Sequence, residues 1–361
     1  MKLQYPSYYP LFQCTAASCR HSCCIGWEID IDPETAALYQ SIPGPMGEEL
    51  RRAICRENPP HFRLREDGRC PFLNEEGLCR LILAKGQGIL CEICAQHPRF
   101  HNPYGNLRES GLGLCCEEAG RLLFTHEPGL LQSETTEEPS ESDPDWLPEL
   151  LEVRETAFSL ALESAYSITE RLFLLLCLGA DVQDALDEGA SLLQAAAPYQ
   201  EEIFRRETLS ELDGFSFDRE ALNSLLSFFQ NREPLDKEWP ARLAGIRERL
   251  GALVPLRMLS EDREAYERLI FYFLFRYLLD AGEDRDFLSK IKFAVAAVAV
   301  ISLLDAQIRL ETGGLSLENR IENARSFSSE TEYSPDAMED FWNACWEEEF
   351  LSFSALAGFC S

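Results

Sequence analysis

Leu269-Ile270-Phe271-Tyr272-Phe273-Leu274-Phe275 is apolar nearly all round. A helix with no polar face must be enclosed by other elements, so this stretch reads as a buried central helix. Working outward, Leu150–Leu178, Val182–Arg206, Asp218–Gln230, Trp239–Val254, Ser260–Asp280 and Asp286–Leu310 carry apolar residues at spacings of three and four. Pro234, Pro240, Pro255 and Gly313-Gly314 supply the breaks, and Asp336–Leu356 reads as a terminal helix rich in aromatics. No strand pattern alternates with these helices and no internal repeat is evident. Residues 149–361 are therefore predicted to be an α-helical bundle.

Upstream the composition changes. Gln132 to Asp145 is polar and acidic and, prolines aside, lacks apolar residues, which marks 131–148 as an acidic linker. Residues 1–130 carry 13 basic and 16 acidic side chains, a net of −3, whereas the remainder holds −26 of the total −29. The first 130 residues lack long periodic segments. Gly26 to Asp32 alternates like a strand, and Asp32-Pro33-Glu34 caps a helix running to about Arg56. His61–Leu64 and Cys70–Leu73, joined through Glu66-Asp67-Gly68, read as a hairpin. The fold class is mainly α: a small cysteine-rich, metal-organised N-terminal domain with short β-hairpins, then the α-helical bundle.

A net charge of −29 argues against nucleic acid as a partner, since phosphates need a basic face, and against anionic lipid. The start Met1-Lys2-Leu3-Gln4-Tyr5-Pro6 has no apolar signal region, and the run Phe293–Leu304 is shorter than the roughly 20 residues of a bilayer span. The expectation is a soluble, cytoplasmic protein with no membrane partner.

In that compartment thiols stay reduced, so the 14 cysteines point to metal or redox chemistry. Eleven precede residue 120, as Cys14-x4-Cys19-x3-Cys23-Cys24, Cys55, Cys70-x8-Cys79, Cys91-x2-Cys94 and Cys115-Cys116; all five histidines also precede residue 130. Sets of four thiolates bind zinc or an iron–sulfur cluster, and a two- or three-residue spacer lets a tight turn present two sulfurs to one centre. Cys55, Cys177, Cys345 and Cys360 fit the alternative of small buried apolar residues. Only Cys91-x2-Cys94 matches a zinc-ribbon knuckle, and Cys19-x3-Cys23-Cys24 departs from the radical-type Cys-x3-Cys-x2-Cys pattern, so spacing leaves the metal open.

Phe12-Gln13-Cys14 through Cys23-Cys24-Ile25-Gly26-Trp27, Arg69-Cys70-Pro71-Phe72-Leu73 through Cys79, Leu90-Cys91-Glu92-Ile93-Cys94, and Leu112-Gly113-Leu114-Cys115-Cys116-Glu117 together resemble the flagellin lysine-N-methylase (FliB) family. Tyr266 to Tyr277 is similar to that family's helical section, and the cysteine elements are more distantly similar to YkgJ-type zinc- or iron-chelating domains. The resemblance implies methyl transfer from S-adenosylmethionine to lysine ε-amines of flagellin, with a [4Fe-4S] cluster on the N-terminal cysteines and zinc as the alternative metal. Carried over by position, the ligand candidates are Cys14, Cys19, Cys23, Cys24, Cys70, Cys79, Cys91, Cys94 and Cys116. Nine exceed what one cluster takes, so either a second metal is present or some are redox partners. Where the family has Ser-Cys-Pro-Glu-Ala this chain has Cys115-Cys116-Glu117-Glu118-Ala119, which makes Cys115 an extra.

No residue stands out for catalysis or for holding S-adenosylmethionine. Gly111-x-Gly113 is the nearest fragment to a glycine-rich cofactor turn. His97, in Cys94-x2-His97-Pro98-Arg99, is a candidate ligand or a neighbour of one; Arg99 is a candidate carboxylate binder or a salt-bridge partner. Tyr8, Tyr9 and Trp27 fit either core packing or an aromatic cage for an ammonium. Two rival readings stand beside the enzyme: a non-catalytic zinc or iron module whose helical half binds a partner protein, and a redox protein using its surplus thiols.

Overall fold

The structure is a computed structural model that describes residues 1–27, 29–55, 57–136 and 142–361. It is mainly helical. In the N-terminal portion lie strands β1 (Lys2–Pro6), β2 (Ile54–Cys55), β3 (His61–Phe62), β4 (Arg99–Tyr104), β5 (Leu107–Leu112) and β6 (Leu130–Glu134). Between them run α1 (Pro33–Ser41), α2 (Gly44–Ala53), α3 (Arg80–Lys85), α4 (Glu92–Gln96) and α5 (Glu117–Thr125). The remainder is α6 (Leu147–Ala161), α7 (Ile168–Glu188), α8 (Leu192–Ala196), α9 (Glu202–Ser210), α10 (Arg219–Gln230) and α11 (Trp239–Leu253). Then follow α12 (Arg263–Tyr277), α13 (Ala281–Asp284), α14 (Phe287–Thr312), α15 (Leu317–Thr331), α16 (Pro335–Glu347) and α17 (Phe353–Cys360).

The expected central helix is α12, buried from Leu269 through Phe275. Beside it α14 is long and apolar enough by composition to cross a membrane, yet its apolar window is enclosed by neighbouring helices. Several spans read as single helices are broken. The Leu150–Leu178 span divides at Leu162, and α7 restarts on a capping box in which Ser167 and Glu170 satisfy each other's backbone amides. The same helix stops at Gly189, whose φ of 68° no β-carbon-bearing residue adopts cheaply, and this divides the Val182–Arg206 span. The terminal span Asp336–Leu356 likewise separates into α16 and α17. Pro43 splits the helix expected to reach Arg56, and Arg56 itself lies outside the described residues.

Strand expectations fared worse. The alternating stretch around Ile29 makes only isolated bridges, Ile25 to Arg69 and Asp30 to His61, and Glu28 lies outside the described residues. His61–Phe62 pairs with Ile54–Cys55 instead of with Cys70–Leu73. A four-stranded sheet in the order β4-β5-β1-β6 was not foreseen. Its β6 falls at the start of the expected linker and pairs antiparallel with β1, Leu3 opposite Ser133; residues 137–141 of that linker lie outside the described residues.

Two cores result. A small one, made of Ile29, Ile31, Tyr39, Leu50, Phe62, Phe72 and Leu81, lies within the cysteine-rich segment and includes Cys70 and Cys91. The large one joins the helices to the sheet and α5 through Tyr8, Tyr104, Leu112, Leu122 and Phe158. A fully buried ion pair fixes the sheet to the helices: Arg154 of α6 meets both carboxylate oxygens of Glu109 on β5, at 2.7 and 2.8 Å, and donates to Gln4 of β1.

Candidate functional site

The nine candidate thiols fall into two neighbouring groups. Cys14, Cys19 and Cys23 lie on the loop that follows the first strand, and Cys116 caps the N-terminus of α5. Arg20 ties this loop to α5, its backbone amide and guanidinium both reaching the Glu117 carboxylate at 3.1 and 3.3 Å. His21 ties it to α15 through Glu322 at 2.7 Å. Burial pushes the Cys116 thiol up to about 11, with the thiols of Cys19 and Cys14 adding to the effect. The second group belongs to the small core. Cys70 and Cys91 are buried in it, with Cys24, Cys79 and Cys94 packed against it. The Cys70 amide donates to the Cys24 carbonyl at 2.8 Å, and the Leu73–Cys79 bridge brings Cys79 alongside. Cys91 and Cys94, at either end of the first turn of α4, hydrogen-bond through sulfur, which makes the first proton easier to lose and the second harder.

The groups meet at Cys23-Cys24, whose thiols also hydrogen-bond; this holds the Cys23 proton, and the thiols of Cys14 and Cys116 add to the effect. An all-sulfur donor set suits zinc or iron–sulfur. Four thiolates around one zinc at about 2.3 Å stand about 3.8 Å apart. Among the described residues, the ligating atoms of only one trio lie within 4.8 Å of one another, and that trio is Cys55, Glu57 and His61 on and beside the β2–β3 pair. Neither thiol group is thus drawn in around a single ion.

Cys115 belongs to neither group. It is buried just ahead of α5, its thiol pushed up to about 12 by that burial, and it accepts a hydrogen bond from the Tyr333 hydroxyl. Tyr333 follows α15 and is the junction of the molecule. Its ring meets Trp27 edge-on at 5.6 Å and His97 at 6.5 Å, both from the cysteine-rich segment. Arg276 stands over it at 5.1 Å. Glu332, whose side chain is wholly buried, pairs with Arg276 at 3.1 Å and accepts from the hydroxyls of Tyr272 at 2.9 Å and Tyr277 at 2.8 Å. Burial works against the Arg276 charge, but Glu332 and the surrounding tyrosines hold it firmly protonated.

Beyond Tyr333 opens a pocket of about 440 Å³, lined by Arg276, Tyr277, Asp280, Glu332, Tyr333 and Trp342 among others. Lys290 also lines it: its ammonium pairs with Asp284 and lies 4.1 Å from the centroid of the Trp342 ring. Burial raises the Asp280 carboxyl above the ordinary range, while the Tyr104 hydroxyl donates to it at 2.9 Å. Three aromatic rings with carboxylates between them form a setting for an ammonium group.

The weaker candidates resolve individually. Gly111 and Gly113 are not a cofactor turn: a β-carbon on Gly111 would lie 2.2 Å from the Phe100 ring, and one on Gly113 would lie 1.8 Å from the Tyr333 hydroxyl. They are places where rings rest on backbone. Arg99 stacks on Phe12 at 5.0 Å. Tyr9 packs on Tyr5 and Trp27 on Tyr333, so Tyr8, Tyr9 and Trp27 make no cage. Burial lowers the His97 imidazole to about 4, leaving it neutral. Glu332 and Tyr333 were missed because the helix they follow, α15, is polar; the signal was the Ser316-x2-Asn319 cap before Ile321, Ala324 and Phe327.

A family profile described as the FliB lysine N-methylase C-terminal domain matches residues 154–359. The chain is 28% identical over 138 residues to a lysine-N-methylase of Salmonella typhimurium, covering 36% of this chain and 34% of that protein. A lysine-N-methylase of Salmonella choleraesuis aligns with the same identity and coverage. The flagellar biosynthetic protein FliU of Salmonella muenchen is 29% identical over 126 residues, 33% of this chain and 75% of FliU. The chain thus spans about a third of the length of the lysine-N-methylases it matches. No solved structure matches it significantly.

Proposed function

This chain belongs to the FliB lysine N-methylase family, and on that premise we propose that it transfers methyl groups from S-adenosylmethionine to lysine ε-amines of flagellin. The observation that carries the reading is the junction at Tyr333, whose hydroxyl bonds Cys115 beside the thiol groups while its ring lines the ammonium-suited pocket. The pocket takes the reacting lysine. Lys290, lying against Trp342 and Asp284, is the chain's own example of a lysine amine held in these surroundings.

Methyl transfer needs a neutral amine whose lone pair attacks the methyl carbon as the carbon–sulfur bond breaks. The lysine proton must therefore leave, and Asp280, raised by burial and lining the pocket, is the acceptor of choice. Tyr277, Tyr333 and Trp342 hold the amine in place and keep water from its far side, a positioning role. The buried Arg276–Glu332 pair fixes the two tyrosines. The N-terminal cysteines would hold the family's [4Fe-4S] cluster, or zinc in its stead, and the donor set fits either; such a cluster supplies electron transfer or structural closure.

The test is incubation of the anaerobically purified full chain with flagellin and methyl-labelled S-adenosylmethionine, read by mass spectrometry of flagellin peptides. Label on lysine is expected, with Asp280→Asn lowering kcat more than it raises KM. A metal-loaded chain that labels no lysine would overturn the proposal.

A further inference from the structure

We infer that the nine thiols build two separate metal centres that touch at the peptide bond between Cys23 and Cys24: one from Cys14, Cys19, Cys23 and Cys116, the other drawing four ligands from Cys24, Cys70, Cys79, Cys91 and Cys94. The inference rests on the part of the preceding reading that assigns metal to these thiols, and it is independent of methyl transfer.

The partition follows from how the chain is packed. The second group lines the small hydrophobic core, with Cys70 and Cys91 inside it and Cys24, Cys79 and Cys94 against it. Of the first group, Cys116 packs against the large core instead. The loop carrying Cys14, Cys19 and Cys23 is held to α5 by Arg20–Glu117 and to α15 by His21–Glu322, both elements of the large core's side of the molecule. Each group reaches four donors without borrowing from the other. A four-coordinate site or a single cluster saturates at four thiolates, so nine converging on one centre would leave five uncompensated. Neighbouring Cys23 and Cys24 resolve the awkwardness of a vicinal pair, because each serves a different centre. Metal at each site would fasten a different contact: the first closes the loop onto α5, the second replaces core that a segment this short cannot supply.

Cobalt(II) added to the reduced, metal-free full chain reads the arrangement directly, through thiolate charge-transfer and ligand-field absorption. Wild type should saturate at two cobalt ions per chain. Cys19→Ser, which leaves three thiols in the first group, and Cys91→Ser combined with Cys70→Ser, which leaves three in the second, should each retain one full-strength tetrathiolate spectrum and lose the other, and the triple variant should lose both. Because Cys91→Ser with Cys70→Ser can destabilise the small core, Cys116→Ser provides a second route to the same partition: it should match Cys19→Ser and add nothing when combined with it. Saturation at one equivalent, at three or more with bridged-thiolate spectra, or loss of all binding in Cys19→Ser would overturn the inference. None of these readouts involves methyl transfer, so a chain that binds two cobalt ions but methylates nothing refutes the enzyme reading alone.

Discussion

Gly113→Ala tests the Tyr333 junction most directly. The new methyl would sit 1.8 Å from the Tyr333 hydroxyl and 2.7 Å from the ring carbon bearing it, so the ring must retreat by more than an ångström to restore contact distance. Overpacking of this kind costs about 1–3 kcal/mol. Moving the hydroxyl also breaks its bond to Cys115, which contributes about 1 kcal/mol. The expected loss is about 3 kcal/mol. Unfolding entropy of about 2.1 cal/mol/K per residue gives this chain about 0.8 kcal/mol/K, so Tm should fall by about 4 °C if it melts as one unit. The diagnostic result is the double-mutant cycle. Tyr333→Ala removes the obstacle, so Gly113→Ala in that background should cost less than about 1 kcal/mol, giving a coupling of about 2 kcal/mol. Additive costs would mean that Tyr333 does not rest on Gly113, and the link between thiols and pocket would fall with it.

Asp305 is buried among Tyr266, Asn323 and Arg320, and burial raises its carboxyl to about 6. A folded-state value above the unfolded one favours the folded state most at low pH, and that advantage is lost as pH rises through 6. Asp305→Asn should therefore gain on wild type by about 2 kcal/mol between pH 4.5 and 7.5, measured by urea unfolding; a constant difference would contradict the burial argument. Glu109→Ala strands a buried guanidinium and should cost about 3–5 kcal/mol, whereas Glu109→Leu with Arg154→Met should recover most of it. If single and double variants lose equally, the pair is not the fastening between sheet and helices. Trp342→Ala should raise KM for flagellin about 2- to 30-fold, with kcat less affected, and an unchanged KM would remove the ring from the pocket's role. Chelation should abolish protection of the small core in hydrogen exchange while far-ultraviolet circular dichroism keeps its helical amplitude; collapse of both would show that the two cores are not independent.

The helical half was legible because its signal is local. Leu269 to Phe275 has no polar face, and a chain read in isolation already says that such a segment is enclosed. The sheet was not legible, because its strongest strand breaks the expected alternation. On β5, Glu109 and Ser110 are as buried as Leu107 and Leu112, and only Arg154, 45 residues away, explains the carboxylate. Helix breaks at Leu162 and Gly189 were hidden by apolar spacing that continues across them. The thiols were visible as a cluster but not by their packing: Cys24 lies against the small core whereas its neighbour Cys23 is also influenced by Cys14 and Cys116, and Cys116 follows the whole small-core segment in sequence and packs against the large core. The pocket was the least visible feature. Arg276 and Tyr277 lay within a recognised stretch, but Glu332 and Tyr333 acquire meaning only when α15 is laid beside α5 and α12.

Arg99 stacked on Phe12 places the point where the chain leaves the large core next to the point where it returns. The described residues from Gln13 to Pro98 therefore form a long excursion with neighbouring ends. Such a segment is a cassette. Joining its ends by a short Gly/Ser linker adds only a modest loop-closure cost, so excision should leave a folded host that still displays the pocket, and transplantation into another surface loop should carry the small core away intact.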